Sequence, residues 1–248
     1  MKKPYMKKIG HFSGFDFWYV NGYWVRNNMD RQFPNYGGHR NFKFVPKHEF
    51  WIDFENGKKE AKFFIDMFLV MERAYDSGKS HKEAAEIAVK FERRERDKLK
   101  LIKKYKKIKI KEKILKKVHK RILFKKYTKN IRVWIVRGDV VRSLFDVDFN
   151  QGGHGYVYPF VPKNEIWIDD DLYKKEIPFV LIHELHERKL MIRGWHYDPV
   201  GQSIFIRSKN AGTKSAHFDA EKLEFKCRRN PKLTKNVLLK EIRENEAV

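Results

Sequence analysis

The chain has 248 residues, a formal net charge of +23 and 15% aromatic content, enough for one large domain or two small ones and too aromatic for a disordered chain. No apolar run approaches the roughly 18 residues that span a bilayer, and the opening Met1–Lys8 stretch lacks the apolar core of a secretion signal, which predicts a soluble, intracellular protein. Cys227 is the single cysteine, so an intrachain disulfide and a thiolate zinc cage are excluded, and any metal site draws on histidines and carboxylates.

The first predicted element is a tight hairpin, Trp18-Tyr19-Val20 and Tyr23-Trp24-Val25, around Asn21-Gly22, a dipeptide that accepts the two positive φ angles of a type I′ turn. Gly37-Gly38-His39, a strand ending at Pro46 and a short Trp51-Ile52-Asp53 strand follow, which gives β-meander character. Apolar spacing predicts helices over Phe63–Arg73, halted near Gly78, and over Ala84–Arg96. From Lys98 to Lys129, sixteen bases face the single acid Glu112, and Leu101, Tyr105, Ile108, Leu115, Val118 and Ile122 fall on one stripe. That pattern predicts a long basic amphipathic helix. The earlier order then recurs: a hairpin at Arg137-Gly138, a strand ending at Pro162, Trp167-Ile168-Asp169, and helices over Phe179–Met191 and Ala216–Arg229. Pro199–Ser215 reads as an inserted hairpin or loop and Leu233–Glu244 as a final helix.

The recurrence is visible residue by residue. Residues 44–53 match 160–169 at eight of ten positions with an offset of 116, which Trp18/Trp134, Gly22/Gly138, Arg26/Arg142, Glu60/Glu176 and Phe63/Phe179 share. At an offset of 115, Gly37-Gly38-His39 matches Gly152-Gly153-His154 and Glu72-Arg73 matches Glu187-Arg188. The expected fold is α+β: a tandem duplicated domain, each copy a small β-meander followed by two helices, with repeats over 1–97 and 130–248 joined by the basic linker 98–129. Trp51 and Trp167 are expected in the cores.

Chemistry concentrates in the second repeat. On its first helix His183 and Glu187 are four apart and share a face, with Glu184 beside His183; on its second, His217, Glu221 and Glu224 share a face. With Glu72 aligned to Glu187 and Glu92 to Glu224, the first repeat places Phe68, Leu69, Met71 and Ala85 at His183, Glu184, His186 and His217. Polar residues exchanged together for apolar ones point into an interior, where imidazoles and carboxylates need partners. Two readings stay open: a metal held by His183, His217 and Glu187, or a buried hydrogen-bond cluster between the helices. The same alignment leaves Glu187 and Glu224 present in both repeats, as braces for Arg188 and Arg228. Glu221, Glu224 and His154 are then the further candidate ligands, and His154, which follows its glycine pair as His39 does, reads equally as a turn or strand-edge residue.

The segment His183-Glu184-Leu185-His186-Glu187 resembles the active helix of zincin-type metallohydrolases, in which His-Glu-x-x-His supplies two zinc ligands and a glutamate base. Here position 187 is Glu in place of the second histidine, and His186 is out of phase. Together with Gly194-x-x-Tyr197 and Ala216-His217-x-x-Ala220-x-x-x-Glu224, it is also similar to small uncharacterised proteins of phage and microbial genomes. The zincin likeness implies zinc as cofactor, Glu184 as catalytic base and a peptide or amide bond as substrate, ahead of a phosphodiester. The net charge predicts a nucleic acid or other polyanion as partner, contacted by Lys103, Lys104, Lys106, Lys107, Lys109, Lys111, Lys113, Lys116 and Lys117. A non-enzymatic nucleic-acid-binding protein is the alternative to the hydrolase.

Overall fold

A computed structural model describes residues 4–108, 111–197 and 215–248. The chain is α+β. In order, its elements are β1 (Tyr5–Phe12), β2 (Phe15–Val20), α1 (Gly22–Asn28), β3 (Tyr36–Gly38), β4 (Glu49–Asp53), α2 (Ala61–Asp76), α3 (His81–Asp97), α4 (Lys100–Lys106) and α5 (Lys111–Val118). There follow β5 (His119–Leu123), β6 (Arg132–Val136), α6 (Gly138–Leu144), β7 (Gly152–His154), β8 (Glu165–Asp169), α7 (Ile177–Ile192), α8 (Ala216–Arg229) and α9 (Pro231–Glu246). The inserted stretch 199–214 lies outside the described residues, as does Lys109. No described helix is long and apolar enough to cross a membrane.

Two four-stranded sheets carry the same order, β1-β2-β4-β3 and β5-β6-β8-β7. In each, the central strands are parallel and tryptophan faces tryptophan, Trp18 opposite Trp51 and Trp134 opposite Trp167. Parallel neighbours cannot be joined by a tight hairpin, so the β-meander expectation is corrected. The left-handed pair of a tight turn is Ser13 and Gly14, φ 51° and 82°, between β1 and β2. Asn21-Gly22 instead starts a helix: the Asn21 side chain accepts from the Trp24 amide at 2.8 Å and caps α1. Arg137-Gly138 likewise precedes α6. The segments before Pro46 and Pro162 are turns, and the strands lie at the glycine pairs.

Gly22 has a steric reason. A Cβ there would lie 2.0 Å from Asp53 Oδ2, and that carboxylate is buried and held at 2.7 Å by Arg26. Gly22→Ala is expected to lower stability by about 3 kcal/mol, the scale on which buried ion pairs and overpacked cores fail, as read by denaturant unfolding.

Contacts divide the chain into two compact units, Met1–Val118 with Arg137–Asn150, and His119–Val136 with Gln151–Val248. The boundaries therefore differ from repeats ending at 97 and beginning at 130. The expected single basic helix is also corrected, because it is α4 and α5 followed by strand β5 of the second sheet. A continuous helix would separate residues 105 and 117 by about 18 Å, yet Tyr105 Oη lies 3.4 Å from the Lys117 carbonyl. Like charges repeated at i+3 and i+4 oppose a longer helix.

In the first unit, Phe17, Phe50, Ile52, Ala61, Phe64 and Phe68 close α2 onto one sheet face, while Val25, Phe33, Phe42, Val45 and Trp51 fill the other. Glu60, ahead of α2, is buried and receives Arg96 of α3 and Arg142 of α6, the latter through Nε at 2.7 Å. Glu92 accepts from Arg96 Nε at 2.8 Å. In the second unit, α7 packs against α8, α9, β7 and β8. It is buried from Phe179 to Leu185 and again from Glu187 to Leu190, so its polar residues must be satisfied from within.

Candidate metal centre

Helix α7 brings His183, Glu184 and Glu187 to the interior of the second unit, Ser215 caps α8 and places His217 in its first turn, and β7 ends on His154. His183 Nε2, His217 Nδ1 and a Glu187 oxygen form a triangle. His183 Nε2 is 3.1 Å from His217 Nδ1 and 3.3 Å from Glu187 Oε2, and His217 Nδ1 is 2.7 Å from that same oxygen. A tetrahedral zinc with bonds of about 2.0–2.1 Å holds its ligand atoms about 3.3–3.4 Å apart, so the two imidazole nitrogens and the carboxylate fit one ion with little movement.

The support behind these atoms is specific. His183 Nδ1 donates to Glu224 Oε2 at 3.0 Å, which leaves Nε2 free to face His217 and Glu187. Glu224 is held in turn by Arg228 Nε at 2.8 Å, and Arg228 also contacts the fully buried Glu176. Glu224 thus orients His183 and is not itself in the triangle. Glu221 is buried, with Oε1 3.9 Å from His217 Nε2, on the far side of that ring from the triangle. His186 faces elsewhere, 3.1 Å from Asp219 and 3.2 Å from Glu241, beside Lys189. Glu176 was not singled out as a site residue from sequence. Its match to Glu60 at offset 116 was the available signal.

His154 Nε2 lies 3.0 Å from Glu187 Oε1, whereas His39 Nδ1 turns to the Val45 carbonyl at 2.7 Å. The two histidines are not equivalent. β3 and β7 pair with Ile52 and Ile168 through Tyr36 and Gly152, which sets Gly38, not His39, opposite His154. Helices α2 and α7 have 16 residues each, and Gly78 and Gly194, φ 78° and 87°, follow them at the same distance. An offset of 116 therefore runs through both helices. It places Met67, Phe68 and Met71 at His183, Glu184 and Glu187, and Glu72 matches Arg188. At that offset Glu187 has no glutamate counterpart in the first unit, and with Glu92 set against Glu224 Ala85 falls at His217. Phe68 is buried and stacks on Phe50 at 4.3 Å; a Cβ on Gly38 would lie 3.1 Å from its ring. The first unit fills with an aromatic side chain the space that the second lines with polar groups.

Electrostatics follow from this enclosure. Burial works against the charge on His183, but Glu187 and Glu224 outweigh it and hold the imidazolium well above the usual histidine range. Burial likewise opposes ionised Glu187, and three histidines hold it well below the usual carboxylate range. Glu224, despite burial, is drawn down to about 2 by His183 and Arg228. Glu184 goes the other way: burial and the charge of Glu187 raise it to about 8. His154 is pushed down by burial. A carboxyl raised toward its neutral form thus sits beside the His183–His217–Glu187 triangle. Comparison with protein-family models, curated proteins and solved structures finds no match to this chain.

Proposed function

We propose that this chain is a zinc-dependent hydrolase centred on His183, His217 and Glu187, built by tandem duplication, with the first unit as its structural copy. The observation that carries the reading is the triangle of ligand atoms 2.7–3.3 Å apart, with Glu224 on the outer nitrogen of His183. Zinc, when bound, supplies a polarising charge and a water whose pKa falls toward about 7. Glu184 accepts the proton of the attacking water and returns it to the leaving group. A neighbouring divalent charge draws Glu184 down from about 8 into the range where it works as a base. Glu224 and Arg228 keep His183 in the coordinating tautomer. The preference for a peptide or amide bond over a phosphodiester comes from the zincin likeness of the α7 segment.

Metal analysis tests the proposal. The purified protein is expected to retain about one tightly held zinc per chain, lost in both His183→Ala and His217→Ala. Zinc uptake at pH 7 is expected to release about one to two protons, from His183 and Glu184, measurable by calorimetry in buffers of different ionisation enthalpy. A wild-type protein that neither contains zinc nor takes it up sinks the hydrolase and leaves a buried His/Glu cluster.

A second reading, compatible with the first, is contact with nucleic acid inside the cell. Lys103 and Lys104 on α4, Lys107 just after it, and Lys113, Lys116 and Lys117 on α5 are exposed, while Lys106 is paired with Asp97 at 2.6 Å. Of the remaining sequence candidates, Lys111 begins α5 and Lys109 is outside the described residues. Replacing the six exposed lysines with Gln is expected to weaken duplex binding. It should also flatten the plot of log K against log salt by about 0.9 per lost phosphate contact; an unchanged slope refutes the assignment.

A further inference from the structure

The two oxygens of Glu187 face different partners. Oε2 belongs to the triangle with His183 and His217, whereas Oε1 is 3.0 Å from His154 Nε2. A second set of ligand atoms, one each from His154, Glu184 and Glu187, lies within 4.8 Å of one another. His154 is fully buried, and Glu184 retains 9% of its surface. Among the described residues nothing donates a hydrogen bond to the Glu184 carboxylate. Its oxygens are not among the fully buried side-chain atoms that lack a partner, so water reaches them, and a cation held there with His154 and Glu187 would take the place of that water.

The geometry points to a second cation site formed by His154, Glu184 and the Oε1 side of Glu187, so that Glu187 bridges two divalent ions in one binuclear centre. This inference rests on the metal-site reading above and extends it from one ion to two. The donor set, one imidazole and two carboxylates, suits zinc or manganese. The first unit supports the pairing, because all three positions change together, to Gly38, Phe68 and Met71, alongside the loss of the first set to Met67 and Ala85. A histidine kept for the fold alone has no reason to vanish with a glutamate on another element.

The second site is the weaker. The Tyr156 amide approaches His154 Nδ1 at 3.3 Å, and a metal on Nε2 forces Nδ1 to carry the proton and give up that contact. The roles of Glu184 are also exclusive. A carboxylate that ligates the second ion no longer accepts a proton from water, so filling the site changes the reaction's proton acceptor.

Equilibrium dialysis of the chelator-stripped full chain against Zn²⁺ alone tests this. The wild type is expected to bind two ions, the second about tenfold or more weakly, and His154→Ala to bind only the first. Glu184→Gln, which keeps shape and volume, guards against a folding defect and is likewise expected to bind one. Manganese-loaded wild type is expected to show an exchange-coupled electron spin resonance signal that His154→Ala lacks. One ion in the wild type, unchanged in His154→Ala, overturns the bridged centre and leaves the single-zinc reading standing. Two ions in both proteins also overturn it, and none in the wild type removes both readings.

Discussion

Glu184→Gln is expected to lower the cleavage of an unfolded polypeptide such as casein by about 10²–10⁴-fold, the usual contribution of a positioned base, with the first zinc retained. The variant keeps the side-chain volume and loses only the ability to take a proton. A structural role predicts a different pattern, namely loss of stability with activity falling in proportion. Metal-free protein separates the two. Glu184 is raised in the fold to about 8 by burial and by Glu187, above its ordinary unfolded value near 4.5, so the folded state binds the proton more tightly. Its contribution is complete below about pH 4.5 and is lost as pH rises toward 8. The unfolding midpoint of metal-free wild type is therefore expected to decline across that window, and Glu184→Gln to decline less. Full activity in the variant, measured at one zinc per chain so that the weaker second site stays unfilled, rules out the base.

Arg228→Leu is expected to cost about 3–5 kcal/mol, because Glu176 and Glu224 lose the buried guanidinium between them. It is also expected to weaken zinc binding about 10–100-fold, since Glu224 no longer holds His183 in place. The first unit supplies the control. Arg96 stands between Glu60 and Glu92 as Arg228 stands between Glu176 and Glu224, but no histidine adjoins Glu92. Arg96→Leu should be comparably destabilising and leave zinc affinity unchanged. Chemical unfolding and competitive chelator titration of both variants give the comparison. Equal losses of zinc affinity in the two would show that Arg228 acts on the fold alone.

The helices were legible because their apolar spacing and the glycines after them act locally; the periodicity of Phe63–Arg73 and Phe179–Met191 needs no knowledge of the sheet. The strands were legible in part: Trp18–Val20, Trp51–Asp53 and Trp167–Asp169 lie in β2, β4 and β8, but their parallel pairing was not legible. Asn21 suits a hairpin turn and a helix cap equally well, and the parallel pairing of β2 with β4, a strand thirty-odd residues on, leaves no partner strand after Gly22 for a hairpin. The basic segment looked like one helix because a stripe of apolar residues ignores accumulated repulsion, and because β5 has to pair with β6 to declare itself. At the site, His183, His217 and Glu187 could be chosen from spacing. The place of His154 could not, since Gly-Gly-His recurs one residue out of step with the sheet register that fixes what each histidine meets.

In the first unit Gly38, Met67, Phe68, Met71 and Ala85 stand where the second has His154, His183, Glu184, Glu187 and His217. Grafting those five residues onto the second unit would trade desolvated charge for close packing, a swap that commonly raises melting temperature.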